Sequence, residues 1–98
     1  MLTKKYAQDK KTCKVTFALP MEVNASSAVL HGDFTKWEKA PVKMRRYKDG
    51  NFKVSLTLKT GKKYRFRYLL DGERWENDWQ ADAYAPNDFG SEDSIVEV

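Results

Sequence analysis

Ninety-eight residues allow one domain with a single two-layer core, and 41% hydrophobic against 33% charged residues describe a globular chain, not a disordered tail. No apolar run approaches the ~20 residues that a membrane helix needs, so no membrane partner is expected. The net charge of +4 conceals an asymmetry, because residues 1–70 carry 17 Lys/Arg against 5 Asp/Glu while residues 71–98 carry 1 against 9. Within one small domain, acidic C-terminal strands folded against basic ones explain this more simply than a nucleic-acid footprint.

The opening segment "MLTKKYAQDKKTCK" is charged where a signal peptide would be apolar. Residues 1–12 are expected to form a flexible N-terminal segment ahead of a single β domain spanning 13–98. Cys13 is the lone cysteine, which excludes an internal disulfide and fits a reducing, cytoplasmic setting.

From Cys13 onward the dominant period is two. "CKVTFAL" sets Cys13, Val15, Phe17 and Leu19 against Lys14 and Thr16. A shorter strand fits "SAVLHG" at 27–32, and another fits "PVKMRRY" at 41–47. "FKVSLTL" alternates Phe52, Val54, Leu56 and Leu58 with Lys53, Ser55 and Thr57. "YRFRYLL" places Tyr64, Phe66, Tyr68 and Leu70 on one face, with Arg65, Arg67 and Leu69 on the other. Each pattern reads as a half-buried antiparallel strand. Turn signals separate them: "KDGN" at 48–51, "KTGK" at 59–62 and "LDGE" at 70–73. The terminal "SIVEV" closes the series. About seven short strands at this spacing predict an all-β antiparallel sandwich.

Catalysis finds little support in these residues. Glycoside hydrolysis needs two carboxylates roughly 5–10 Å apart, one with a raised pKa. Asp71, Glu73, Glu76, Asp78, Asp82 and Asp88 all lie in polar, turn-rich sequence where nothing suggests desolvation. His31 is the only histidine and lacks an evident serine or cysteine partner, so a structural or surface role suits it better. One His and one Cys supply no metal set, and no cofactor is implied. A non-enzymatic protein is expected.

The aromatics say more. Trp37 lies in the polar loop "GDFTKWEK", and Trp75 and Trp79 follow the Asp-Gly turn. Each indole alone reads as a packing anchor. Beside Arg65 and Arg67, on a strand face opposite the core, they also suit a pyranose ring. Its C–H groups would stack on an indole while its hydroxyls bond a polar rim. Single-stranded nucleic acid could use the same aromatic and basic groups. The chain lacks the pattern of β-sheet RNA binders, however, and the carboxylates around Trp75 would repel phosphates.

"VLHGDFTKWEKAPVKMRR", together with "YRFRYLLDGERWENDWQADAYAPNDFGSEDSIVEV", resembles carbohydrate-binding module family 48 over about residues 13–98. That family includes the glycogen-binding domain of the AMP-activated protein kinase beta subunit and the N-terminal early set domains of isoamylases and branching enzymes. The marks are the loop Gly32-x-Phe34-x-x-Trp37, a proline-led strand at Pro41, and an aromatic–basic–aromatic run before an Asp-Gly turn. A tryptophan after that turn and the late "NDFG" and "SIVEV" segments complete them. The resemblance implies an immunoglobulin-like sandwich of the early set type that binds α-1,4-linked glucans such as glycogen, starch or maltooligosaccharides. It implies stacking on Trp37 and Trp75, hydroxyl bonding by Arg67, and an apolar prop at Phe89. Asp93 stands where a sugar-bonding asparagine is expected, and it accepts hydrogen bonds but cannot donate them. Trp79 stands where a proline is common and would extend the platform or seal the sandwich edge. Partner expectations are therefore an α-glucan and a glycogen-metabolising enzyme, since a chain of this length is expected to carry no catalytic domain of its own. The rival expectation is an early set domain that binds protein and no sugar, with Trp75 and Trp79 as buried anchors.

Overall fold

Alternating apolar and polar side chains sort this chain into two antiparallel sheets. A computed structural model describes residues 2–98. In chain order its strands are β1 (Leu2–Tyr6), β2 (Thr12–Leu19), β3 (Ala28–Gly32), β4 (Val42–Lys43), β5 (Arg45–Arg46), β6 (Phe52–Lys59), β7 (Lys63–Leu70), β8 (Arg74–Glu76), β9 (Ala83–Pro86) and β10 (Glu92–Glu97). The first sheet has the order β1-β2-β6-β5, and the second has β4-β3-β7-β10-β9 with β8 added to β7. The architecture is an all-β sandwich of two antiparallel sheets.

The core lies between them, as the alternation requires. Cys13, Val15, Phe17 and Leu19 of β2 are buried, and so are Phe66, Tyr68 and Leu70 of β7. Phe17 meets Phe66 edge-on at 5.1 Å, and Phe66 meets Tyr68 edge-on at 5.6 Å. Such tilted ring pairs add roughly 0.5–1.5 kcal/mol each beyond their buried area. The β7–β8 hairpin turns through the three residues Asp71–Glu73, with positive φ at Asp71 and Gly72 and the Glu73 N–H donating to the Leu70 carbonyl at 3.1 Å. Asp71 Oδ1 also accepts the Ser26 and Ser27 amides at 2.7 and 3.0 Å, tying this turn to the start of β3.

Strand number and boundaries depart from the expectation of about seven. The segment 41–47 is not one strand. Val42–Lys43 pairs with β3 in the second sheet and Arg45–Arg46 pairs with β6 in the first. The chain crosses between sheets at buried Met44, whose N–H donates to the Ala28 carbonyl at 2.9 Å. Within the segment 1–12, expected to be a flexible lead, Leu2–Tyr6 pairs along β2 from Phe17 to Cys13, and Thr12 begins β2. Strands β8 and β9 arise within sequence that reads as loop. They are short and border the sheet, so pairing with β7 and β10 supplies the order that an apolar pattern does not.

The charge asymmetry is partly absorbed internally. Lys4–Asp82 at 2.6 Å, Arg65–Asp93 at 3.2 Å and Lys63–Glu97 at 3.6 Å each join the basic region to the acidic one.

Candidate functional site

Strand register gathers the aromatic and basic side chains on the outer face of the second sheet. With Phe66 and Tyr68 turned inward, Arg65, Arg67 and Leu69 of β7 turn outward. Across the ladder His31 pairs with Arg67, and Trp75 pairs with Leu69. Ser94 pairs with inward-facing Phe66, so the preceding Asp93 belongs to the outer face. Trp37, Arg67, Trp75, Phe89 and Asp93 line one open concavity of about 760 Å³ there, with Arg65, Glu38 and the 86–88 segment. Its size lies within the usual range for small-ligand sites.

Trp37 is presented by a tightly closed loop. A Cβ on Gly32 would sit 2.7 Å from the Arg65 carbonyl oxygen and 2.8 Å from Phe34 Cζ, so close approach demands glycine here. The chain then makes a 3-10 turn over Asp33–Thr35 and passes through left-handed backbone at Lys36 and Trp37, with φ of 52° and 56°. A bulky residue adopts that conformation at a cost of order 1–3 kcal/mol, which the surrounding bonds must outweigh. The Trp37 N–H donates to the Gly32 carbonyl at 2.9 Å. The Thr35 hydroxyl accepts the Gly32 N–H at 3.0 Å and shares its proton between the Gly32 and Trp37 carbonyls at 2.9 and 3.0 Å. Asp33 fixes the ring itself: Oδ1 accepts the indole N–H at 3.0 Å, while Oδ2 accepts the Arg65 amide at 2.8 Å.

Trp75 rests on a different support. It sits in β8 with 39% of its surface exposed. Buried His31 meets it edge-on at 5.0 Å, and the Arg67 guanidinium lies 5.6 Å from its ring centroid. His31 Nδ1 lies 3.2 Å from the Trp37 carbonyl, which only accepts, so Nδ1 carries the proton. The histidine thus buttresses both tryptophans. Arg67 Nε is buried and has no hydrogen-bond partner among the described residues. A buried donor left unpaired costs about 1–3 kcal/mol, and more for a charged group.

The far wall is a hydrogen-bonded loop. Asp93 is buried, with Oδ2 accepting from Arg65 Nη1 at 3.2 Å and Oδ1 accepting from Asn87 Nδ2 at 3.0 Å. Arg65 Nη1 also donates to the Pro86 carbonyl at 3.0 Å. Asn87 Oδ1 accepts the Phe89 and Ser91 amides at 2.9 and 3.2 Å. Phe89 projects from this frame with 90% of its surface exposed. Aspartate at position 93 therefore acts as an anchor, holding Arg65 and Asn87 with both its oxygens.

Two expectations need correction. Trp79 neither lines the concavity nor enters the core: it is 53% exposed, and its indole N–H reaches Glu76 Oε1 at 3.3 Å. Nor are all the carboxylates of residues 71–88 solvated, because Asp78 is fully buried. Its Oδ2 accepts from the Tyr68 hydroxyl at 2.7 Å, its Oδ1 accepts the Gln80 amide at 2.8 Å, and its own N–H donates to Ser94 Oγ at 2.9 Å. These partners satisfy a short acidic side chain that turns the chain back over the core. Burial above all, then the charge and hydrogen bond of Asp78, pushes the Tyr68 hydroxyl well above its ordinary pKa. Because Tyr68 points inward, this pair lies across the sheet from the concavity. Sequence reading missed Asp33 and Asn87 as positioning residues. Their only sequence signal is a short polar side chain in a turn near a site aromatic.

No curated protein matches the sequence. The family model described as the glycogen recognition site of AMP-activated protein kinase matches residues 13–98, nearly the whole chain. With the two-sheet sandwich already described, that match agrees with the family 48 resemblance. This chain belongs to the family of the glycogen recognition site of AMP-activated protein kinase.

Proposed function

We propose that the protein is a non-catalytic module that binds α-1,4-linked glucan in the concavity on the second sheet. Glucose rings stack on Trp75 and Trp37, Arg67 donates to ring hydroxyls, and Phe89 props the chain of sugars. The observation that carries this reading is the convergence of Trp37, Trp75 and Arg67 on one open concavity, with the Arg67 guanidinium 5.6 Å from the Trp75 ring centroid. The guanidinium supplies donors for sugar hydroxyls, and the aromatic faces supply stacking for a neutral ring. Glycogen, starch and maltooligosaccharides share this chemistry. The carboxylates favour binding over hydrolysis: both oxygens of Asp93 are engaged by Arg65 and Asn87, and Glu38 and Asp88 are exposed at the open rim.

An open platform buries few atoms, so affinity in the micromolar to millimolar range is expected, on the order of −4 to −8 kcal/mol. Titration with maltoheptaose, followed by tryptophan fluorescence or amide shifts, tests the reading directly. Saturable quenching that disappears in Trp75→Ala supports it, and an unresponsive wild-type protein at several millimolar sugar defeats it.

A further inference from the structure

The first sheet has an outer face that the glucan reading leaves unused. Register fixes its composition. Inward Val15, Phe17 and Leu19 of β2 leave Thr12, Lys14, Thr16 and Ala18 outward. Lys53, Ser55, Thr57 and Lys59 of β6 lie opposite those residues, with Arg45 beside Lys53 and with Thr3 and Lys5 beside Thr16 and Lys14. No position in this set is a carboxylate. Thr16 Oγ1 and Ser55 Oγ are 2.8 Å apart, so short hydroxyl side chains fill the centre while Lys5, Lys14, Lys53, Lys59 and Arg45 surround it. The ion pairs that absorb charge elsewhere involve Lys4, Lys63 and Arg65, and none of the five cations on this face joins an ion pair among the described residues.

We infer that this face docks the domain onto a bilayer surface bearing anionic headgroups. Cations spread over a shallow, hydroxyl-lined sheet complement a broad layer of negative charge, and each engaged lysine multiplies surface partition roughly fivefold. Four of the five cations are lysines, compact point charges that suit a diffuse anionic layer better than bidentate capture of one phosphate. Exposed Tyr47 offers one ring beside these cations, with Arg45 and Lys53 each 5.3 Å from its centroid, and a single ring is a short platform for a strand whose bases stack in succession. A duplex groove admits a helix or a two-stranded ribbon, whereas this face belongs to a four-stranded sheet. The expectation of no membrane partner came from the absence of an apolar span, which adsorption does not require. Because the concavity opens from the opposite sheet, a domain seated this way turns its tryptophans toward solvent.

Co-sedimentation with vesicles tests the inference, using phosphatidylcholine alone or with about 30 mol% phosphatidylserine, at roughly 0.05 M and 0.15 M salt. The wild-type protein is expected to pellet with the anionic vesicles only, and less at the higher salt. Lys14→Glu with Lys53→Glu should lower that partition at least tenfold while the melting temperature and the maltoheptaose response stay close to wild type. Trp75→Ala should pellet like wild type, which separates this face from the sugar site. Failure of the wild-type protein to pellet at the lower salt overturns the inference, as does equal binding by the charge-reversed variant or by neutral vesicles. Preferential capture by a short DNA duplex at matched phosphate concentration overturns it too, by reassigning the face to nucleic acid.

Discussion

Single side chains divide into those proposed to touch sugar and those that aim them. Arg67→Ala should weaken maltoheptaose binding on the order of tenfold, the worth of one or two charge-assisted hydrogen bonds. Arg67→Lys should not restore it, because an ammonium lacks the planar fork that holds Nε beside Trp75. Titration of both variants by fluorescence checks this, and wild-type affinity in the alanine variant would remove Arg67 from the site. Asp33→Ala touches no sugar in this arrangement, yet it releases the Trp37 indole N–H and the Arg65 amide together. Its affinity loss should come with a broadened Trp37 indole signal in the free protein. Trp37, Arg67, Trp75 and Phe89 were legible through the family 48 resemblance, and the fold brings them to one concavity. Asp33 was not, since its partner Arg65 stands 32 positions away and only the fold brings them together.

At the scale of elements, strict alternation predicted the long strands and weak alternation hid the short ones. In β7, Phe66 and Tyr68 are buried while Arg65 and Arg67 turn toward the concavity. Phe66→Ala should cost about 3–5 kcal/mol in urea-denaturation measurements, a large share of a small domain's stability. Strands β4 and β5 read as one strand in the sequence because "PVKMRR" has too few apolar positions to specify one face. Buried Met44 marks where the chain changes sheets instead. β9 offered even less, with Tyr84 and Pro86 exposed and its order supplied by β10. Gly32→Ala should destabilise the loop at the end of β3 and weaken sugar binding together, because the added methyl meets the β7 backbone and the Phe34 ring. Thermal melts and titrations on that variant should therefore change in parallel.

For the whole molecule, the buried Tyr68–Asp78 pair links stability to pH. The folded Tyr68 hydroxyl holds its proton more tightly than the ordinary value of 10.0, so the fold retains a neutral phenol. Well below pH 10 both folded and unfolded chains carry that proton, and the group adds no pH dependence. Above it the unfolded chain releases the proton while the folded one keeps it, so stability falls as pH rises. Urea denaturation at pH about 8 and about 11 should show this decline, and Tyr68→Phe should shrink it. The same variant should be less stable near pH 8, by about 1–3 kcal/mol, because Asp78 loses a donor in a buried setting. An equal alkaline decline in wild type and variant would assign the effect to other groups. The acidic run of residues 71–98 suggested this little in sequence: burial of Asp78 depends on Tyr68 and Ser94, which arrive from other strands.

Trp75 belongs to a paired strand and Trp37 to a loop closed by backbone and threonine bonds, so neither indole has far to travel when a ligand arrives. Only Phe89, at the tip of the Asn87-braced turn, stands clear of such support. A platform built this way should associate with short and long maltooligosaccharides at similar rates, since little reorganisation precedes contact. Chain-length preference should then reside in how long each oligosaccharide stays, with the added contact at Phe89 slowing departure of the longer ones. Stopped-flow traces across a maltooligosaccharide series would register this as nearly constant association rates and lengthening residence times.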